Sequence, residues 1–177
     1  MFVAQAIIRA SSALNRVALW GAVLAAGVMV FAAIWQVVAR YVFASPPIWT
    51  EELARYAMVW AGMLGASCAF HSGADPVLFP GALDAPGRRG LVASVVRAIA
   101  IAVFAGPVLW FCVIGPNGAV ARGYIARSLD RNAEMLGIPM FWIAIAIPVA
   151  FTLICIHAVA GIAARTLPAS RHSDPDT

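Results

Sequence analysis

At 177 residues the chain suits one domain, yet 63% of it is hydrophobic, only 11% is charged, and the mean hydropathy is +0.88. So few charges cannot cover a water-soluble globule, which places the chain among membrane proteins. The net charge of +4 rests on arginine alone, as there is no lysine, and these arginines flank apolar runs instead of forming a nucleic-acid surface.

Read in order, Gln5, Arg9, Ser12 and Arg16 recur at helical spacing opposite Phe2, Ala6, Ile7 and Leu14. That pattern predicts a short amphipathic helix lying on the membrane surface. The uncharged run 17–39 follows. It exceeds the about 7–15 residues of a signal-peptide core, and at about 1.5 Å per residue it crosses a hydrocarbon layer of about 30 Å. It is the first predicted span. Arg40 closes it, and Pro46 and Pro47 forbid a continuous helix through the next stretch. Thr50 is then the expected N-cap, with Glu51 and Glu52 in a first turn whose dipole favours carboxylates. Glu51 and Arg55 share a face at i,i+4.

The second span is predicted over 53–70. Within and around it Ala57, Ala61, Gly65 and Ala69 fall every four residues, a small-residue stripe along which another helix could come close. A Gly/Pro-rich connector follows His71, with room for a short interfacial piece near Val77–Phe79. The third span is predicted over 92–114, with Pro107 inside and Arg97 near its start as an interfacial anchor or as half of a pair with a partner subunit. Residues 119–134 carry Arg122, Arg127, Asp130, Arg131 and Glu134, too polar for lipid, and predict an interfacial or extramembrane helix and loop. The fourth span is predicted over 138–164, with Pro139 in its first turn and Pro148 kinking its interior. Residues 165–177 read as a mobile cytoplasmic tail. The expectation is one all-α integral membrane domain covering 1–177, with four transmembrane helices preceded by a short amphipathic one. Seven arginines on the side of the termini against five on the other favour cytoplasmic termini.

The chemistry is sparse. Cys68, Cys112 and Cys155 lie in or near apolar segments without metal-binding spacing, and read as free thiols. Every carboxylate sits in a connector, a helix end or the tail, which excludes a small proton-coupled multidrug exporter needing an acid inside the bilayer. No nucleophile elbow, phosphate loop or zinc-protease motif is present. No enzyme activity, cofactor or metal is predicted. One rival stands: His71 and His157 fall toward the same side and could hold a single haem, as in the membrane anchor of a redox enzyme.

The string from Arg40 to Gly65 points elsewhere. Arg40-Tyr41, then Trp49-Thr50-Glu51-Glu52-Leu53-Ala54-Arg55, then Trp60 and Leu64-Gly65 resembles the small membrane subunit of the tripartite ATP-independent periplasmic (TRAP) transporters, the DctQ family. The chain departs from that family in the second connector, where His71 stands for a basic residue and Asp75 for a histidine. The resemblance implies a non-catalytic subunit in the bacterial inner membrane. Its implied partners are a large multi-span permease subunit, which carries the substrate and sodium sites and moves as an elevator, and a periplasmic substrate-binding protein. On that reading Arg40, Trp49, Glu51, Glu52, Arg55, Trp60, Ala61 and Gly65 serve a subunit interface or a structural motif. The four charges among them are expected to form a network fixing the first turn.

Overall fold

The computed structural model describes residues 2–74, 85, 87–115 and 118–166. Four stretches of helix are long and apolar enough to cross a membrane, and among the described residues there is no strand, only an isolated bridge between Asn132 and Pro139. Helix α1 runs Phe2–Tyr41, α2 Trp49–Ser72 and α3 Arg88–Val113. A 3-10 turn at Val120–Arg122 and short helix α4, Tyr124–Leu129, cover one end. Helices α5, Phe141–Ala144, and α6, Ala146–Thr166, together supply the fourth apolar stretch.

The residues expected to form a separate amphipathic helix are the first turns of α1 itself, which continues without a break for 40 residues. At about 1.5 Å per residue that is roughly 60 Å, twice the hydrocarbon thickness, so α1 extends beyond any one crossing. No Gly or Pro separates the two parts in sequence, and a helix with no breaker continues.

What holds α1 to α2 is a repeat of seven. The buried residues of α1 are Ser11, Ala18, Ala25, Ala32 and Ala39, each seven after the last. On α2 the buried set includes Thr50, Ala57 and Leu64 at the same interval. Ser11 reaches His71, and the Cys68 thiol reaches the Asn15 carbonyl, which sets an antiparallel register. In that register Ala18 lies level with Leu64, Ala25 with Ala57 and Ala32 with Thr50. A period of seven keeps one seam in contact along a left-handed pair. Lipid chains are as apolar as the side chains, so the hydrophobic effect does not drive this contact; close approach of small residues does. Gly21 serves the same seam, since a Cβ there would come 2.9 Å from Leu64 Cδ1.

Helix α6 completes a three-helix bundle with α1 and α2, and α3 leans on α6 from the far side. Helices α2 and α3 pack scarcely against each other and leave a cleft between them. A Cβ at Gly90 would strike the Ala85 carbonyl and the Arg165 guanidinium, so the start of α3 sits tightly on the end of α6. At the opposite end a Cβ on Gly123 would strike the Val113 carbonyl, which lets the chain double back against α3.

Helix ends differ from expectation for local reasons. Helix α2 starts at Trp49, so Thr50 lies inside the first turn; its hydroxyl donates to the Pro47 carbonyl at 2.7 Å and caps no helix amide. It ends on Gly73, left-handed at φ 69°, with the Gly73 and Ala74 amides closing onto the Phe70 and Ala69 carbonyls. Pro139 is not in a helical first turn. It lies in the bridge with Asn132, and regular helix begins only at Phe141. The expected kink at Pro148 is an interruption at Ile145. Proline has no N–H to bond the Ala144 carbonyl, so the helix re-forms with Pro148 in its first turn. The Val77–Phe79 piece, Asp75 and the tail beyond Thr166 fall outside the described residues.

Candidate functional site

Two polar constellations stand out, one at each end of α2. The first is the charged turn. Arg55 donates to Glu51 at 3.1 Å, and both side chains are 61% exposed, so this pair contributes little in water. Glu52 does something else. Its Oε2 accepts the backbone amides of Met135 and Leu136 at 2.9 and 2.8 Å, and its Oε1 accepts the Tyr56 hydroxyl at 3.4 Å. One carboxylate thus accepts two turn amides in charge-assisted bonds. Arg40 is exposed and makes no ion pair with a described residue. The four charges therefore divide: Glu51 with Arg55, Glu52 with the loop ahead of α5, Arg40 apart.

The loop that Glu52 holds is itself ordered. The Ala133 amide donates to Ile138 at 2.8 Å, the Met140 amide to Arg131 at 2.8 Å, and Gly137 takes φ 65° to turn the chain. About two turns further along α2, the Trp60 indole donates to the Trp142 carbonyl at 2.9 Å. Glu52 and Trp60 together pin α2 to the segment that leads into α6. Sequence reasoning placed Glu52 in a network with Arg40, Glu51 and Arg55, and nothing local to that turn points to amides 83 and 84 residues away. Trp49 is 40% exposed and, with Trp35 and Phe43, lines a hollow beside the turn of about 410 Å³. This aromatic cluster suits a membrane-water boundary.

Of the small-residue stripe only Ala57 is buried, and it faces α1. Ala61 and Gly65 are half-buried, and a Cβ at Gly65 would meet nothing within 4 Å. Their face is not used by the helix pair, because the α1 seam follows a period of seven while the stripe follows four.

The second constellation joins three helices. Ser11 on α1, 1% exposed, lies 2.7 Å from Nδ1 of His157 on α6 and 3.4 Å from Nδ1 of His71 on α2. One hydroxyl has a proton and two lone pairs, so it can donate to one ring and accept from the other. Nearby on α1 and α2, Asn15 Oδ1 and Ser67 Oγ are buried without a hydrogen-bond partner among the described residues, as is His157 Nε2 on α6. Beside this cluster the Arg97 guanidinium from α3 stacks on the Phe70 ring at 4.0 Å.

This geometry decides the haem rival. The His71 and His157 rings have centroids 4.7 Å apart at 56°, bridged by one hydroxyl. Two axial imidazoles stand on opposite faces of a porphyrin, and no macrocycle fits between rings so close. The pair reads as an interhelical polar contact.

The charged turn and three of the four long apolar helices lie within a region that matches a known family. The model for the DctQ component of the tripartite ATP-independent periplasmic transporters matches residues 29–167. The chain belongs to that family. The match takes in α2, α3 and α6 whole and the last third of α1, and therefore both ends of the clamp made by Glu52. No curated protein matches the full sequence. As a DctQ component the chain is a multi-pass membrane subunit of a transporter, not a member of an enzyme family.

Proposed function

We propose that this chain is the static small subunit of a TRAP-type secondary transporter for organic acids in the bacterial inner membrane. It gives a large elevator-type subunit a fixed body to move against, under a sodium gradient, with substrate delivered by a periplasmic binding protein. The observation that carries this reading is the clamp of Glu52 and Trp60 onto the loop before α6. With the α1–α2 seam, it ties three of the long helices into one rigid body, which is what a scaffold requires. The spans hold no carboxylate away from their ends, so this subunit has no obvious seat for a coupling ion of its own. The exposed Glu51–Arg55 pair and Gly65, where an added Cβ would meet nothing within 4 Å, are the parts of α2 offered to the large subunit.

The experiment is co-purification and reconstitution. In mild detergent the chain should bring down one large permease. In liposomes it should move no organic acid alone but support sodium-driven uptake with that permease and its binding protein. Uptake by the isolated chain would overturn the reading. Cysteine labelling from outside should reach substitutions at Ser45 and Asn117, and not at Ser12 or Ser170, if both termini are cytoplasmic.

A further inference from the structure

Ser11, His71 and His157 bring two imidazoles from different helices to one hydroxyl, and the number of protons among them decides whether the contact closes. Ser11 is 1% exposed and His157 4%, whereas His71 is exposed at the end of α2. The Ser11 Oγ lies 2.7 Å from Nδ1 of His157 and 3.4 Å from Nδ1 of His71. A serine hydroxyl has one hydrogen to give, so it donates to one ring nitrogen and accepts from the other only where that other nitrogen carries hydrogen. The trio therefore closes with one Nδ1 protonated and one bare.

An order that closes the trio runs from the His71 Nδ1–H to the Ser11 Oγ, and from the Ser11 O–H to the His157 Nδ1. A first extra proton, taken by the far nitrogen of the exposed His71 ring, leaves that order intact. A second, on His157, does not. Two Nδ1–H groups then face one oxygen, the Ser11 hydrogen loses its acceptor, and two cations stand with ring centroids 4.7 Å apart.

No described neighbour relieves that state. Next to the trio are Asn15 from α1, Ser67 and Cys68 from α2, and Ser94 and Arg97 from α3, the last two lining a hollow of about 260 Å³ with both histidines. A guanidinium accepts no hydrogen bond and neutralises no cation. The other charged side chains described at this end are arginines: Arg9, Arg16, Arg88, Arg89 and Arg165. The described carboxylates, Glu51, Glu52, Asp130 and Glu134, belong to the opposite end of α2 or to the loop held there.

We infer that Ser11, His71 and His157 form a proton-binding site that joins α1, α2 and α6 while it holds at most one extra proton, and lets go when both rings are charged. Imidazoles change charge between about pH 5 and 8, so the fastening answers to the ordinary range of acidity on its side of the membrane. The sign follows from proton counts. The unfolded chain charges both rings in acid and the folded one holds a single proton, so stability falls as the pH falls.

The test uses the full chain, with any co-purifying permease, in mild detergent. The ring nitrogens of histidine are labelled, with His172→Gln removing the only other histidine, and their resonances are followed from about pH 8 to pH 5. His71 and His157 should titrate as a coupled pair, in two steps separated by about one pH unit or more. Asparagine in place of His157 still accepts from Ser11 and takes no proton, so His157→Asn should leave a single step at His71. His71→Asn, at an exposed position, should likewise leave a single step at His157. Below the second step the folded-to-unfolded ratio of the parent should drop by up to about tenfold per pH unit, and in His157→Asn that drop should be absent. A single step common to both rings in the parent, which needs no change at the site to measure, would overturn the proposal. So would an acid loss of stability in both His157→Asn and His71→Asn as steep as in the parent.

Discussion

The seam between α1 and α2 can be tested at Ala32. It is 1% exposed, level with Thr50, which is 0% exposed, and it is flanked one heptad away by Ala25 and Ala39. Ala32→Leu adds three carbons where none fit. Interaxial distances run from about 8 Å for small contacts to about 10 Å for large ones, so Leu pushes the helices apart by up to about 2 Å. That separation loosens the neighbouring alanine contacts as well, and overpacking of this kind costs about 1–3 kcal/mol. Lipid offers no compensating hydrophobic term, because a Leu displaced from the seam is as well solvated there as Ala. The expected cost is about 3 kcal/mol, at the upper end of that range, or about a hundredfold in the folded fraction. The control is Leu24→Ala, since Leu24 is 73% exposed and faces away from the seam. It should stay within about 0.5 kcal/mol of the parent. The assay is unfolding in mixed micelles with increasing denaturing detergent, followed by tryptophan fluorescence. If Ala32→Leu unfolds at the parent's midpoint, the period-seven seam does not hold these helices together.

Glu52→Gln keeps the shape but removes the charge that two amides point at, so hydrogen exchange at Met135 and Leu136 should speed up while exchange in α6 stays slow. Unchanged exchange at both amides would count against the clamp. Trp60→Phe deletes the bond to the Trp142 carbonyl, and should cost about 0.5–1.5 kcal/mol in the same micelle assay. Ser11→Ala leaves His157 Nδ1 buried and unsatisfied, and should cost about 1–3 kcal/mol in the same micelle assay. Gly123→Ala drives a Cβ into the Val113 carbonyl and should lower the yield of folded protein far more than Gly62→Ala, where a Cβ meets nothing within 4 Å.

Much of the architecture was legible in the sequence because lipid imposes a one-dimensional rule. Every backbone group of a span must be bonded within its own helix, so long uncharged runs identify the helices before any packing is known. The Arg40 to Gly65 string, with Pro46 and Pro47 forcing a turn and two acids after it, located the first site and its family in the same way. The alanines of α1 at intervals of seven were also present in the sequence, but a second period, the stripe of four on α2, was the more conspicuous. Which of two small-residue faces is buried depends on which neighbour arrives, and sequence periodicity is blind to the neighbour.

The same limit explains the rest. Glu52 finds the amides of Met135 and Leu136 across 83 and 84 residues, and Ser11 finds His157 across 146, distances at which local patterns carry no information. Whether α1 continues through its polar first turns, or Pro148 kinks a helix instead of breaking it at Ile145, is settled by what packs beside each segment. Composition and hydropathy determined that four apolar helices cross a membrane, because solvation is a property of each segment alone. Tertiary structure decided which polar groups meet at the two ends of α2, because a hydrogen bond needs both partners in place.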